Sequence, residues 1–312
     1  MKRSGSLIRQ RNLFILFSLL IPVVLLIIFV VFPALDLVGM SFTSWDGLSA
    51  ERLFNGIENY KTMFADKNLW LSLRNNFIYF FVHLLAIPVE LMIAVMLSSK
   101  MRAAGFFKSV TFLPFVINGV AISYAFAYFF SPINGGFNAI LEALGMGGAV
   151  QNWLSDGNVV NYTLASVSIW RYSGYHIILF ISALASVPGD ILEAATIDGA
   201  GAWHKFWKIQ LPSISLVIDF ILFDNIRGAL QAFEIPFIMT SGGPGYASST
   251  FTLYTINTAF QYRNFGMAAT MAVAIIVLIV IAQVIQHGIV NNMRTRGERR
   301  AAKIQRKGAK TA

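Results

Sequence analysis

Residues 193–212 read EAATIDGAGAWHKFWKIQLP, an amphipathic and glycine-interrupted stretch between two long apolar segments. The chain of 312 residues is 56% hydrophobic and 12% charged, with a mean hydropathy of +0.64. A soluble globular chain carries about 25% charged residues, so this composition indicates an integral membrane protein. A soluble-looking stretch closed by Pro212 in such a chain predicts a loop with a function of its own.

Long uncharged runs predict an all-α integral membrane protein with six transmembrane helices, because a helix needs about 20 apolar residues to cross the hydrocarbon layer. The predicted spans are the stretch between Arg11 and Asp36 and residues 75–97, 109–130, 163–185, 213–233 and 267–288. The first span is too long for a signal peptide and lacks a small-x-small cleavage site, so we expect it to be retained. The predicted divisions are an N-terminus 1–12, a transmembrane domain 13–288 and a basic tail 289–312.

Lys and Arg are distributed unequally between the two sides of these spans. Seventeen lie in the N-terminus, in the loops after the second and fourth spans and in the tail, whereas five lie on the opposite side. The positive-inside rule therefore predicts that both termini and residues 193–212 are cytoplasmic. This distribution explains the net charge of +9 without nucleic acid. We interpret tail 289–312 as an orientation signal in preference to a lipid-headgroup site.

The sequence lacks the patterns of several kinds of chemistry. It contains no Cys, which excludes disulfides, thiolate metal sites and cysteine nucleophiles. His83, His176 and His287 are scattered and predict no metal site. Residues 241–245 read SGGPG without a following Lys-Ser/Thr, which indicates a turn and not a phosphate-binding loop. These patterns therefore predict no metal site and no nucleotide site in this chain.

We call residues 188–212 the elbow, because their pattern predicts two short helices around a break. Asp190 followed by Glu193 predicts an N-cap with a capping box. Small residues then form a tip that another backbone could approach: Ala194, Ala195, Gly199 and Gly201. The second helix carries an apolar face made of Trp203, Phe206, Trp207 and Leu211. An amphipathic helix that only lies on the membrane is the alternative, and composition alone favours it.

The elbow also resembles a known motif. Its residues reproduce, with the same spacing, the loop motif of permease subunits of binding-protein-dependent ABC importers: Glu193-Ala194-Ala195, Gly199, Ile209 and Leu211-Pro212. The carbohydrate branch of that family is matched by Asp198-Gly199-Ala200 and Phe206. Segments elsewhere fit the same branch, namely 54–60, 111–114, 152–154, 169–171 and 240–244. Many members have another proline shortly after Leu-Pro, and residues 213–216 lack it.

The combination resembles the permease of the maltose/maltodextrin importer that pairs with a second, non-identical permease. The resemblance implies a type I ABC importer permease fold in a bacterial plasma (inner) membrane, with the elbow as the coupling helix that docks on the ATPase. The docking residues would be Glu193, Ala194, Ala195, Asp198, Gly199, Ala200 and Gly201. Implied partners are a heterodimeric second permease, two ATPase subunits and an extracytoplasmic solute-binding protein. ATP and Mg would bind the ATPase and not this chain.

Charged residues inside the spans cost about 2.5–3.5 kcal/mol each at the bilayer centre, so they normally face protein or water. On an ideal helix the polar residues of the fifth span fall within about 80°, with Asp219 about 60° further round: Asp224, Arg227, Gln231 and Glu234. This stripe, with Asn225 to one side, predicts a wall of the substrate path. A structural Asp224–Arg227 ion pair, or a bond to the partner permease, is an equally good interpretation.

Other polar residues in the spans are weaker candidates. Trp170 and Tyr175 beside Arg171 could stack on sugar rings, although aromatic belts at membrane interfaces are commoner. Glu90 in the second span is interpreted as a helix-packing acid.

The function that we expect is import of sugars or oligosaccharides by an ATP-driven complex. An ABC permease for a non-sugar solute such as glycerol phosphate is one alternative, because Arg227 suits a phosphate. A stand-alone proton-coupled secondary transporter, with Glu90 or Asp219 titrating, is another. Six spans without a detectable inverted repeat count against the secondary transporter. A membrane scaffold without transport is the third alternative, and the polar stripe counts weakly against it.

Overall fold

The computed structural model describes the backbone of residues 2–98 and 102–311 and the side chains of residues 9–98 and 102–292. The first eight helices are α1 (Lys2–Leu26), α2 (Phe32–Met40), α3 (Glu58–Ala65), α4 (Lys67–Ser98), α5 (Ala104–Val116), α6 (Gly119–Phe129), α7 (Gly136–Ala143) and α8 (Val160–Ala185). The others are α9 (Gly189–Ile197), α10 (Ala202–Lys205), α11 (Leu211–Ser213), α12 (Ser215–Leu230), α13 (Glu234–Thr240), α14 (Phe251–Phe260) and α15 (Phe265–Thr311). Two π-helical turns, Ile27–Val31 and Phe206–Gln210, and a 3₁₀ turn, Gly147–Ala149, complete the regular structure of the described residues.

The fold is therefore all-α over these ranges, as predicted. Three helical segments are individually long and apolar enough to cross a membrane: Arg9–Met40, Lys67–Ser98 and Phe265–Asn292. Three bent pairs pass the same test together: α5 with α6, α8 with α9, and Ala202–Ser213 with Ser215–Thr240. If each bent pair counts as one span, these described segments give the six spans that the sequence predicts. The basic side chains of the predicted tail after Asn292, and Lys100, lie outside the described residues.

The third predicted span, 109–130, is not one continuous helix. Its two halves, α5 and α6, differ in direction by 93°. Asn118 caps α6, because its side-chain oxygen accepts hydrogen bonds from the backbone N–H groups of Val120 and Ala121. The span predicted over 109–130 is thus broken by a bend, which hydrophobicity alone does not indicate because it does not register a capping residue inside an apolar run.

The described chain divides into two compact units, of which the first comprises Met1–Asp66 and Thr255–Ala274. In this unit the side-chain amide of Asn59 donates to the backbone carbonyls of Ser41 and Thr43, at 3.1 and 2.8 Å. These two bonds attach α3 to the end of α2. The described apolar side chains of α1 are exposed, as expected for a helix whose surroundings are lipid or another subunit.

A turn centred on Asp46 organises the segment between α2 and α3. The Asp46 carboxylate accepts hydrogen bonds from the backbone N–H groups of Ser49, at 2.8 Å, and Leu48, at 2.9 Å, and one from the Ser49 hydroxyl. These bonds favour the charged form, and the backbone bonds from Ser49 and Leu48 contribute most, so the pKa of Asp46 falls from 3.8 to about 2. The segment thus holds its shape through an ionised side chain.

The second unit comprises Lys67–Tyr254 and Ile275–Ala312. Its buried apolar side chains come mainly from α4, α8 and α12, with Phe180 and Ile221 fully enclosed in one of the clusters. Gly174 lets α8 approach α5, because a Cβ at this position would overlap the backbone carbonyl of Thr111. These tightly packed helices position both the elbow and the cavity described below.

Candidate functional site

The elbow begins where α8 ends and α9 starts. Pro188, with ψ of 129°, occupies the N-cap position of α9 and makes no side-chain cap bond. Asp190 lies in the first turn, where its Oδ1 accepts a hydrogen bond from the backbone N–H of Ile191 at 2.9 Å. The predicted capping box of Asp190 with Glu193 was therefore wrong. The helix starts at Gly189, directly after Pro188, whose ring fixes φ. This start is two residues earlier than the one expected with Asp190 as the N-cap.

The C-terminal end of α9 is closed by Gly199, whose φ is +81°. The N–H of Gly199 bonds the carbonyl of Thr196 at 3.1 Å, and the N–H of Ala200 bonds the carbonyl of Ala195 at 2.8 Å. This pair of bonds is the Schellman motif, which requires a left-handed residue at the position that Gly199 occupies. Nothing lies within 4 Å of a Cβ built on Gly199, so backbone conformation and not space accounts for glycine here.

After this turn the chain runs through α10, a π-helical turn and α11. In the predicted apolar face, Trp203 and Trp207 are exposed and contact each other, with ring centroids 5.4 Å apart, whereas Phe206 and Leu211 are half-buried. The elbow is attached to the helices above it by Leu192 and Ile209, which pack against the buried apolar cluster of α4, α8 and α12. Lys205 Nζ also donates to Thr196 Oγ1 at 3.0 Å and joins the two arms of the elbow.

The structure brings the seven predicted docking residues together on α9 and the turn after it. Five of them are exposed: Glu193, Ala194, Asp198, Gly199 and Gly201. Ala195 and Ala200 are half-buried. The tip of the elbow is therefore an accessible surface with few side-chain atoms.

A cavity of about 320 Å³ lies among α4, α8, α12 and the start of α13. Its polar and aromatic lining consists of Tyr79, His83, Ser168, Tyr172, His176, Asp224, Asn225, Arg227, Gln231, Phe233 and Glu234. Four of the six residues predicted for the substrate path are in this lining, namely Asp224, Asn225, Arg227 and Gln231. The two others lie elsewhere: Trp170 packs edge-on against Phe126, and Tyr175 stacks on Phe115.

Charges in and beside the cavity are paired. Arg227 Nη2 donates to Asp224 Oδ1 at 2.7 Å, so the ion pair considered from the sequence is present. Arg171 forms an ion pair with Glu234, and its side chain is 13% exposed. Gly119 leaves room for the Arg171 guanidinium, because a Cβ at Gly119 would overlap it. Both guanidinium groups thus already have a carboxylate.

The predicted polar stripe is not one continuous helical face. α12 ends at Leu230, and Glu234 belongs to α13 after a break. Pro236 explains the break, because in a continuous helix its ring would clash with the carbonyl of Ala232. Asp219 also lies outside the cavity lining, where its carboxylate accepts a hydrogen bond from Gln286 of α15.

Behind the cavity wall, Glu90 is buried between α4 and α8. Its Oε1 accepts a hydrogen bond from Ser173 Oγ at 2.6 Å, and its Oε2 lies 2.9 Å from His176 Nδ1. The other ring nitrogen of His176, Nε2, lies 3.7 Å from Asp224 Oδ2. Glu90 does pack helices together, as predicted, but it is also the far end of a polar chain that reaches the cavity.

The residues that α4 and α8 contribute to the cavity were not predicted from the sequence. Spacings of four and seven place Tyr79, His83 and Glu90 on one face of α4. A repeated spacing of four places Ser168, Tyr172 and His176 on one face of α8 in the same way. His83 Nε2 and Ser168 Oγ, 2.9 Å apart, join these faces. Among residues 9–98 and 102–292, no group of His, Asp and Glu is arranged to hold a metal ion.

A polar cavity between apolar helices, joined through α8 and α12 to an exposed helical elbow, is typical of a membrane transport subunit. Curated relatives agree with this class. The osmoprotective compounds uptake permease protein GgtC of Synechocystis is 34% identical over 259 residues, which cover 81% of this chain and 90% of the relative. The lactose transport system permease protein LacF of Rhizobium radiobacter is 32% identical over 269 residues, covering 85% and 89%. The multiple sugar-binding transport system permease protein MsmF of Streptococcus mutans is 31% identical over 269 residues, covering 86% and 92%.

A solved structure has the same fold. It is a bacterial ABC transporter involved in the import of the acidic polysaccharide alginate, and it superposes with a TM-score of 0.78 at 20% identity, covering 91% of this chain and 96% of that chain. No protein-family model matches the sequence. The chain belongs to the family of permease subunits of ABC importers, in the branch whose named members include sugar and oligosaccharide permeases.

Proposed function

We propose that this chain is the transmembrane subunit through which an ATP-driven importer carries sugars or oligosaccharides into the cell, with the ATPase on a separate chain. The position of the elbow between α8 and α12 carries this proposal. Both helices contribute to the cavity, α8 through Tyr172 and His176 and α12 through Asp224 and Arg227. A displacement of the elbow therefore moves two walls of the cavity together, which is what coupling to an ATPase on another chain requires.

The ATPase docks at the exposed tip of the elbow, formed by the seven residues from Glu193 to Gly201 named above. The Schellman turn at Gly199 and the small side chain of Ala194 let another backbone come close, and Glu193 and Asp198 provide charges for polar contacts. ATP and Mg belong to two such ATPase subunits, and this chain binds no cofactor.

The substrate path runs along Asp224, Asn225, Arg227 and Gln231. Imidazole, amide, hydroxyl and carboxylate groups beside aromatic rings suit a solute with many hydroxyl groups, and about 300 Å³ is the lower end of typical ligand pockets. Because Arg227 and Arg171 each contact a carboxylate, the cavity favours an uncharged sugar over glycerol phosphate. The relatives MsmF and LacF, named for sugar and lactose transport, support the same class.

We place the chain in a bacterial plasma membrane as a multi-pass subunit with both termini in the cytoplasm, because Lys and Arg are concentrated on that side. The transmembrane domain is 13–288, with the elbow at 188–212. A second, non-identical permease completes the substrate path, and an extracytoplasmic solute-binding protein delivers the sugar. The exposed apolar side chains of α1 are available to lipid and to that second permease.

Affinity purification of the tagged chain from its native membrane in mild detergent, with identification of every co-purifying subunit, tests the proposal. We expect an ATPase, a second permease and a solute-binding protein. The purified complex is then reconstituted in proteoliposomes and assayed for ATP-dependent uptake of ¹⁴C-labelled lactose, maltose, cellobiose, sucrose and glycerol 3-phosphate. Recovery of the chain alone or as a homo-oligomer would contradict the proposal. Uptake of glycerol 3-phosphate without any sugar would contradict the substrate class.

A further inference from the structure

We infer that Glu90 is a positioning residue of the cavity, which fixes the carboxylate of Asp224 through His176. The inference rests on the proposed function, in which Asp224 is part of the substrate path. Glu90 itself does not line the cavity, whereas His176 and Asp224 do. The three side chains come from α4, α8 and α12, so the connection crosses three helices.

The burial of Glu90 needs an explanation beyond packing. Its side chain is 3% exposed, and a carboxylate removed from water carries a large desolvation penalty. Both of its oxygens are occupied, by Ser173 and by His176. An apolar residue of similar volume would pack these helices without that penalty. A carboxylate at this position therefore indicates a requirement for its charge and geometry.

The geometry shows what that charge acts on. Glu90 holds Nδ1 of His176, which sets the orientation of the ring and directs Nε2 towards Asp224 Oδ2 at 3.7 Å. The second oxygen of Asp224 is held by Arg227 at 2.7 Å. Asp224, whose side chain is 23% exposed, thus lies within ion-pair distance of His176 on the protein side and is hydrogen-bonded to Arg227 along its own helix.

Sugars differ from one another mainly in the directions of their hydroxyl groups. A carboxylate that accepts a hydrogen bond from one of these hydroxyls therefore has to be held in one position. Once the His176 ring is free to turn, Asp224 can follow Arg227 away from the position that receives a substrate hydroxyl. The consequence is weaker substrate binding, while the chemistry of the ATPase and the docking of the elbow stay the same. Loss of Glu90 should therefore change the apparent KM of uptake more than its maximal rate.

The test is a double-mutant cycle in the reconstituted complex, assayed with the disaccharide of the panel above that the wild type imports fastest. We expect Asp224→Asn to raise the apparent KM about tenfold, as for loss of one hydrogen bond to a charged group. Glu90→Gln should raise it by about threefold to tenfold, because Asp224 is retained and only loses the contact that positions it. The double variant should resemble Asp224→Asn alone, because Glu90 acts only through Asp224.

Asp219→Asn is the matched control, because Asp219 lies on the same helix as Asp224 with the same 23% side-chain exposure but outside the cavity. It should leave the apparent KM unchanged. Ser173→Ala, which removes one of the two bonds to Glu90, replaces Glu90→Gln if that variant does not assemble.

An unchanged KM in Glu90→Gln, with less assembled complex, would show a purely structural role and overturn the inference. The inference would also be overturned if Glu90→Gln raised the apparent KM by the same factor in the Asp224→Asn variant as in the wild type. A wild-type complex that imports no sugar of the panel would overturn the proposed function first, and this inference with it.

Discussion

Substitutions at Gly199 give the sharpest prediction, because a new side chain there meets no neighbouring atom and can act only through the conformation of the backbone. Gly199 has φ of +81° and open space around its Cβ position. Asn tolerates the left-handed region, whereas a β-branched residue is strained there. Gly199→Asn should therefore keep the Schellman turn, and Gly199→Val should open it.

The size of the effect follows from the cost of placing a Cβ in the left-handed region, about 1–2 kcal/mol. This cost shifts the equilibrium against the closed turn by about fivefold to thirtyfold. Because the turn sets the direction in which Ala200 leaves α9, we expect Gly199→Val to lose most of its uptake. Gly199→Asn should keep the larger part of it.

The assay is ATP-dependent uptake of ¹⁴C-labelled disaccharide in proteoliposomes, together with the amount of ATPase that co-purifies. Gly245→Val is the control, since Gly245 also has a positive φ, of +59°, and open space around it, but lies outside the elbow. Its uptake per inserted chain should stay near that of the wild type. Equal uptake by Gly199→Val and Gly199→Asn would refute the reasoning.

Three other predictions concern folding. Arg171→Gln leaves Glu234 without its cation and should lower the stability of the purified complex by about 1–3 kcal/mol, a buried-pair value reduced for the 37% exposure of Glu234. Gly174→Ala should cost about 1–3 kcal/mol by overpacking against the carbonyl of Thr111, measured as a lower midpoint of thermal unfolding. The turn at Asp46, whose pKa is lowered from 3.8 to about 2, should be fully formed above pH 3.8 and lost as the pH falls through 2, measured by amide hydrogen exchange.

Each of these has its own control. The double variant Arg171→Gln/Glu234→Gln should recover part of the lost stability, and no recovery would argue against the ion pair. Gly228→Ala, where no atom lies within 4 Å of the new Cβ, should be tolerated, so equal losses at both glycines would contradict the close approach. Asp46→Asn should remove the pH dependence of exchange at the amides that bond Asp46. Persistence of that dependence would point to another group.

The spans and the elbow could be predicted because they depend on local properties: long apolar runs, small residues and the positions of Gly and Pro. The bend at Asn118 could not, because one cap residue competes with an otherwise continuous apolar run. The continuation of the stripe to Glu234 was wrong for a reason that the sequence contained. Pro236 two residues later prevents a straight helix through Ala232.

Half of the cavity could be predicted, and the other half could not. Asp224 and Arg227 stand out because they are charges inside an apolar span, which is a local signal. His83 and His176 are separated by 93 residues, and only the packing of α4 on α8 brings them to one wall. Trp170 and Tyr175 were favoured by residue type, but their positions on α8 direct them towards Phe126 and Phe115. Residue type alone did not predict which way these two side chains point, because that depends on the face of α8 on which each residue lies.

The most direct test of the account is the initial rate of disaccharide uptake in proteoliposomes under an imposed proton gradient, measured for the complex with ATP supplied to the ATPase and for the chain alone, with or without a protonophore. The account predicts uptake that requires ATP hydrolysis and the co-purified ATPase and that is unchanged by the protonophore. Uptake by the chain alone, collapsing with the protonophore while ATP remains, would contradict it and identify a proton-coupled transporter.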